Sequence, residues 1–224
     1  MVSIIIPTLN EEKALPETLH HVLRQAGSYE VIVVDGGSVD RTREIAEKEA
    51  RVRFVMAPRG RASQMNAGAQ QATGEWLLFL HADTILPDRA LIRLNTLEGD
   101  VTVQAGGFLH QFSGTDWRLR MLSYFNNLRC RWSKVIYGDQ AMFVRRKLFE
   151  RLGGFPRQPW LEDVLFGRKL AHTVSPILLA TPVITDSRKF VQSGIWRSVA
   201  RASWILLSLK LHLPFSRAFF KDIR

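Results

Sequence analysis

Along the first hundred residues, hydrophobic and polar positions fall into two alternating kinds of block. Short, nearly continuous apolar runs occupy 2–6, 31–34, 53–56 and 76–80, and stretches of helical period fill 13–26, 40–50, 61–73 and 88–97. That alternation predicts repeated βα units. Runs such as Ile4-Ile5-Ile6 and Val31-Ile32-Val33-Val34 have no polar face, so they suit a parallel sheet covered on both sides, a three-layer α/β sandwich. Asp40, with Thr42 and Arg43 behind it, is a natural start for the second helix, and the Gly60 turn or Ser63 for the third. Thr73-Gly74 closes the third helix before Glu75-Trp76-Leu77-Leu78-Phe79-Leu80 resumes as strand.

Beyond residue 100 the pattern changes. Strands are expected over Gln104–Phe112 and Gln140–Arg145, separated by an aromatic, arginine-rich helix near 116–133, and a helical run covers Val164–Leu170. Gly153-Gly154-Phe155-Pro156 and Gln158-Pro159 mark turns, but no low-complexity tract or repeat signals a linker. The expected organisation is a single domain over 1–190, with a nucleotide-binding half (1–100) and an acceptor-facing half (101–190), followed by a basic amphipathic helical tail over 191–224.

Two of the predicted strands end in polar loops, Pro7-Thr8-Leu9-Asn10-Glu11-Glu12 and Asp35-Gly36-Gly37-Ser38-Val39-Asp40. A parallel sheet binds ligands at the carboxyl ends of its strands, which makes this pair of acid-bearing loops a candidate nucleotide site.

The chain has 224 residues and a formal net charge of +10. An excess of that size favours an anionic partner without choosing among a nucleotide diphosphate, a phospholipid surface and nucleic acid. Cys130 is the one cysteine, which excludes an internal disulfide and a cysteine-rich zinc site and fits a reducing compartment. The start runs directly into a strand without the pattern of a secretory signal, and Arg197, Arg201 and Lys210 interrupt the longest apolar stretch. A cytoplasmic protein without a spanning helix is expected.

Leu80-His81-Ala82-Asp83-Thr84 ends the fourth strand with an acid where a parallel sheet presents its ligands. Asp83 therefore reads either as a ligand for a hard divalent ion, Mg²⁺ or Mn²⁺, or as a plain turn residue. His81 is two positions away and, in a continuing strand, would face the same side; as a nitrogen donor it suits Mn²⁺ better than Mg²⁺. Glu162 and Asp163 begin a helix, where acids either complement the dipole or, in a cleft flanked by Phe155 and Trp160, supply a general base. Arg59 and Arg61 on the Gly60 turn suit phosphates at a helix start as well as they suit a solvated loop. Tyr137-Gly138-Asp139-Gln140 reads as a polar turn.

In order, SIIIPTLNEE, VVDGGSVDRT, the Asn66/Gly68 helix, LHADT, GDQAMFVRR and LEDV resemble the inverting glycosyltransferases of family 2, which have the GT-A fold. The matches span residues 1–172. The nearest resemblance is to a small bacterial branch with LHADT in place of D-x-D, described as radical-SAM/selenodomain-associated. The resemblance implies that Pro7, Thr8, Asn10 and Glu11 surround the base and ribose of a nucleoside diphosphate sugar, with Asp35 accepting from the base's ring N–H. Arg61, Asn66 and Asp139 would join that site. Asp83 corresponds to the last acid of D-x-D and would hold the metal on the diphosphate, with His81 in the place of the first acid and its role open. Asp163, or its neighbour Glu162, corresponds to the general base for a hydroxyl acceptor. Asp35 suits uridine, the preferred base, while guanine also offers a ring N–H.

From Gly194 onward, Ile195, Val199, Ala202, Leu206, Leu209 and Leu213 recur at spacings of four and three. Such a basic, aromatic helix over 195–224 suits an anionic membrane surface, which would place the protein peripherally on the inner face of the cell membrane and favour a lipid-linked acceptor; packing on the domain or on a second subunit suits it equally. Two other functions stay open on sequence grounds. A nucleotidyltransferase would use the same strand-end acids but lacks its glycine-rich, lysine-bearing loop here, and a degenerate or non-catalytic adaptor for membrane or nucleic acid would explain the charge. Nucleic acid is not the expected partner, and the oligomeric state is left undetermined.

Overall fold

The structure, a computed structural model, describes residues 1–158, 161–200, 203 and 204. Its first four strands are β1 (Val2–Thr8), β2 (Tyr29–Asp35), β3 (Val52–Met56) and β4 (Trp76–Phe79), joined through helices α1 (Leu15–Leu23), α2 (Thr42–Lys48) and α3 (Arg61–Gln71). All four run parallel, in the order β3-β2-β1-β4. Because β2 and β3 lie to one side of β1 and β4 to the other, the strand order reverses between β1 and β4, the place where such sheets open a ligand crevice.

The remaining elements are β5 (Thr84–Ile85), α4 (Ala90–Thr96), β6 (Ala105–Phe112), α5 (Trp117–Ser133), β7 (Phe143–Arg145), α6 (Arg146–Arg151), α7 (Glu162–Thr173), β8 (Ile177–Thr185) and α8 (Arg188–Gln192). They extend the sheet to eight strands, β3-β2-β1-β4-β7-β6-β8-β5, with β7 antiparallel to both neighbours. Each face carries its own core. Ile4, Ile6, Val31, Val33, Trp76 and Leu78 point toward α1, α2 and α4, and Ile5, Ile32, Val34, Leu77 and Phe79 toward α3, α5, α6 and α7. This is the expected three-layer α/β sandwich.

Two local devices hold the layers and the halves of the sheet in place. A side chain at Gly68 would place its Cβ 2.5 Å from Ile5 Cγ2 and 3.0 Å from Val34 Cγ2, so the missing side chain lets α3 lie directly on β1 and β2. Arg145 is 6% exposed; its guanidinium donates to the carbonyls of Leu97, Glu98, Asp100 and Val103, pairs with Glu75 and stacks 4.2 Å from the Trp76 ring.

The structure differs from the sequence expectation in the second half. The strand expected over Gln140–Arg145 is a 3-10 turn, Gly138–Gln140, followed by β7 from Phe143, because Ala141 takes a left-handed φ of 44° that no strand continues through. Strand β4 stops at Phe79, and His81 to Thr84 form a turn closed by Thr84 N donating to His81 O at 3.1 Å, so strand alternation does not put His81 and Asp83 on one face. β5, α6, β8 and α8 were not expected at all. Residues 195–200 are helical, as expected at the start of the tail. Ala202, Leu206, Leu209 and Leu213 of the expected stripe lie outside the described residues, as does Trp160.

Candidate functional site

The loops after β1 and β2 are stitched to each other. Asp35, 1% exposed, accepts from Gly37 N and Ser38 N at 2.8 Å on Oδ2, and from Thr8 Oγ1 at 3.2 Å and Ser38 Oγ on Oδ1. Asn10, with a left-handed φ of 56°, donates its backbone N–H to Ser38 Oγ and accepts from Val39 N on Oδ1, at 2.8 and 2.9 Å. Glu11 N donates to Thr42 Oγ1 at 2.8 Å. From below, the buried Gln64 of α3 donates Nε2 to Thr8 O at 2.7 Å and Val34 O at 2.9 Å. Pro7, Thr8, Asn10, Glu11 and Asp35 therefore belong to one double loop at the mouth of β1 and β2. The Asp35 carboxylate has about four lone-pair directions, and four donors already address it; a ligand N–H reaches it only by replacing the Thr8 or Ser38 hydroxyl.

Asp83 is placed by the unpredicted strands. Its carbonyl accepts from Asp186 N at 3.0 Å, β5 pairs with β8 through Thr84 and Thr185, and Thr18 Oγ1 of α1 donates to Ala82 O at 2.7 Å. The side chain lines a cleft of about 350 Å³ between the start of α1 and the end of β8, with Lys13, Glu17, Ser113, Asp186 and Arg188.

His81 faces elsewhere. A Cβ added at Gly138 would lie 2.8 Å from His81 Nε2 and 2.9 Å from Asp163 Oδ2, and Gly138 N donates to that same Oδ2 at 2.9 Å. The end of β4, the Gly138 turn and the start of α7 thus converge on a point where a side chain does not fit. Leu161, left-handed at φ 61°, turns the chain into α7, and the next two residues are the acids. Asp163 is half-buried and also accepts from Val164 N at 2.8 Å. Glu162, 3% exposed, lies 3.6 Å from Arg61 Nε at the start of α3.

Asn66 donates Nδ2 to Phe155 O and accepts from Phe155 N, at 2.8 and 2.9 Å, so its amide clamps the turn that leads to α7. Phe79, Phe149, Phe155 and Phe166, with ring centroids 4.7 to 5.4 Å apart, pack that turn onto β4. Asp139 lies on the far side of Gly138; it accepts from Asn126 Nδ2 at 3.2 Å and lies 3.9 Å from Nε2 of His110, which is 1% exposed. Next to it Tyr137 stacks on Arg129 at 3.5 Å, and burial holds its phenol pKa above the ordinary value against the pull of Arg129 and Arg168. Gln64, Thr18, Asn126 and His110 are participants that sequence reasoning passed over. The signal was faint: one of three glutamines in the small-residue helix 61–71, and an Asn126-Asn127 pair within an aromatic one.

Among the described residues no group of three or more His, Cys, Asp or Glu side chains converges to hold a metal ion. Asp83 alone fits a hard divalent cation shared with phosphate oxygens and water, which needs only one or two protein carboxylates.

An α/β sandwich with acid-bearing loops at the switch between β1 and β4, and a helix-borne carboxylate against the turn that pairs with the β4 end, defines a domain of the GT-A type. The model of "Glycosyl transferase family 2" matches residues 3–153, and the chain belongs to that family. A "PGL/p-HBAD biosynthesis glycosyltransferase" of Mycobacterium tuberculosis is 33% identical over 201 residues, covering 83% of this chain; the chain spans 66% of that relative's length. In structure it is similar to residues 1–349 of Staphylococcus aureus TarS in complex with UDP, with a TM-score of 0.68 at 22% identity over 83% of this chain and 60% of that one. It is also similar to the mannosyltransferase PcManGT of Pyrobaculum calidifontis in complex with GDP-Man and Mn²⁺, with a TM-score of 0.65 at 26% identity over 99% of this chain and 67% of the other.

Proposed function

We propose that this protein transfers a sugar from a nucleoside diphosphate sugar, a UDP-sugar in preference, to a hydroxyl acceptor by a single displacement that inverts the anomeric centre. The observation that carries the reading is the convergence of the β4 end, Gly138 and Asp163 beside the double loop. In this reading the loop of Pro7, Thr8, Asn10 and Glu11 receives the nucleoside, and Asp35 exchanges a hydroxyl partner for the base's N–H. Arg61 approaches the nucleotide while balancing the buried Glu162, which leaves Asp163 as the base. Its carboxylate is fixed by Gly138 N and Val164 N, and it takes the proton as the acceptor oxygen attacks. Asp83 would hold Mg²⁺ or Mn²⁺, whose charge stabilises the leaving diphosphate. Asn66 acts as a positioning residue. The LHADT segment, which sets the His81–Asp83 turn, supports placement in the LHADT branch, and a lipid-linked acceptor would suit an aromatic, basic tail at a membrane surface.

Calorimetric titration with UDP and GDP, with and without Mn²⁺, tests the first half of the reading. Asp83→Asn is expected to weaken metal-dependent nucleotide binding at least about tenfold. Asp163→Asn is expected to bind like the parent while transfer falls by roughly 10²-fold or more. Parental transfer rates in both variants would overturn these roles.

A further inference from the structure

Helix α5 is amphipathic the wrong way round for a surface helix. Two of its polar residues, Ser123 and Asn127, face the protein. Asn127 accepts from His110 N and donates to His110 O at 2.8 and 2.9 Å, and Ser123 Oγ accepts from Phe112 N at 3.1 Å, so these two side chains close the edge of β6 beyond its short pairing with β7. Leu119 and Cys130 are buried on the same side. The opposite face carries Trp117, Met121, Tyr124, Phe125, Leu128 and Trp132, which fall within one stripe at 3.6 residues per turn. Trp117, Tyr124, Phe125 and Trp132 are 66%, 63%, 55% and 80% exposed. Core packing does not use this stripe.

Its borders are cationic. Arg120 and Arg131 run along one side, Arg118 lies on the other and Lys134 at the end, and among the described residues Arg120, Arg131 and Lys134 form no ion pair. Contiguous apolar surface of this kind marks an interaction site rather than bare solvent contact. Tryptophan and tyrosine prefer the headgroup level of a bilayer, and a rim of arginine and lysine is attracted to anionic lipid. The chain's +10 charge is compatible with an anionic partner of this kind. We infer that the outer face of α5, between Trp117 and Lys134, is a docking surface for an anionic phospholipid bilayer. The inference stands on α5; the transferase reading supplies its use, because Gly138 follows α5 by five residues and a docked α5 would hold that wall of the site near lipid-borne acceptors.

The test uses the full chain with Phe125→Cys labelled by an environment-sensitive fluorophore, the native Cys130 being 1% exposed. Phosphatidylcholine vesicles containing phosphatidylglycerol are expected to shift the emission to the blue, and pure phosphatidylcholine to shift it much less. In flotation, Tyr124→Ser, Phe125→Ser and Trp132→Ser should each lower vesicle partition by about tenfold, while UDP titration and the melting curve stay parental. No vesicle binding, binding without a shift at the label, or unchanged partition of the serine variants would each overturn the inference. So would a concentration-dependent dimer, in the absence of vesicles, that the same substitutions dissolve. Failure of UDP binding in the parent protein would bear on the transferase reading alone.

Discussion

Gly138 is the residue on which the site's geometry turns, because three elements meet where its side chain would be. Gly138→Ala forces a methyl to within 3 Å of both His81 Nε2 and Asp163 Oδ2, so the turn or the carboxylate must move. Overpacking of this kind costs about 1–3 kcal/mol, and displacing Asp163, the proposed base, costs more in rate than in stability, on the order of 10²-fold. The expected result is near-parental UDP affinity in calorimetry with transfer reduced by about that factor. Equal losses of binding and transfer would mean that Gly138 serves folding alone. At this scale the sequence was uneven. Asp163, at the start of a helix, and Asp83, just past a strand, stand out in the sequence as candidates, whereas Asn66 reads as a site residue in sequence and becomes a clamp only when Phe155, 89 residues away, is seen to take both ends of its amide.

At the scale of elements, Glu30 at the start of β2 shows how strands and helix ends are fastened. Burial pushes its pKa up, but bonds from Ser3 Oγ at 2.6 Å and from Thr73 N and Oγ1, with Arg53 nearby, pull harder, and the net result lies below the ordinary glutamate value of 4.5. A carboxyl group depressed on folding stabilises above its unfolded pKa, and that contribution fades as pH falls through the folded value. Glu30→Gln is therefore expected to melt below the parent at pH 7, with the gap closing as both are measured down through the carboxylate range. A constant gap would assign the effect to packing. The first-half elements were readable because each apolar run is long and each helix carries one period. β8 was hidden by Pro182 and by the register shift where Phe108 pairs with Leu179 and Leu109 with Pro182, and β5 is two residues long. Without them nothing in sequence says what holds Asp83.

For the whole molecule, the sheet is continuous from β3 to β5, and Arg145 is the rivet between its parallel and antiparallel parts. Arg145→Ala would strand the carbonyls of Leu97, Glu98, Asp100 and Val103 and leave Trp76 without its cation. Each acceptor left unsatisfied costs about 1–3 kcal/mol, and a combined loss of a few kcal/mol corresponds to about 10 °C in Tm for a chain of this size. Differential scanning calorimetry should show one transition displaced as a unit; a split transition would mean that the halves melt separately. The wider inheritance lies in Leu161. A branched side chain at φ 61° is a conformation that glycine or asparagine would adopt more cheaply, and it sits immediately before the two acids of α7. A laboratory selection for heat resistance should therefore find easy gains there and, in the proposed transferase, collect variants that last longer and turn over more slowly, so that durability and speed compete for the same residue.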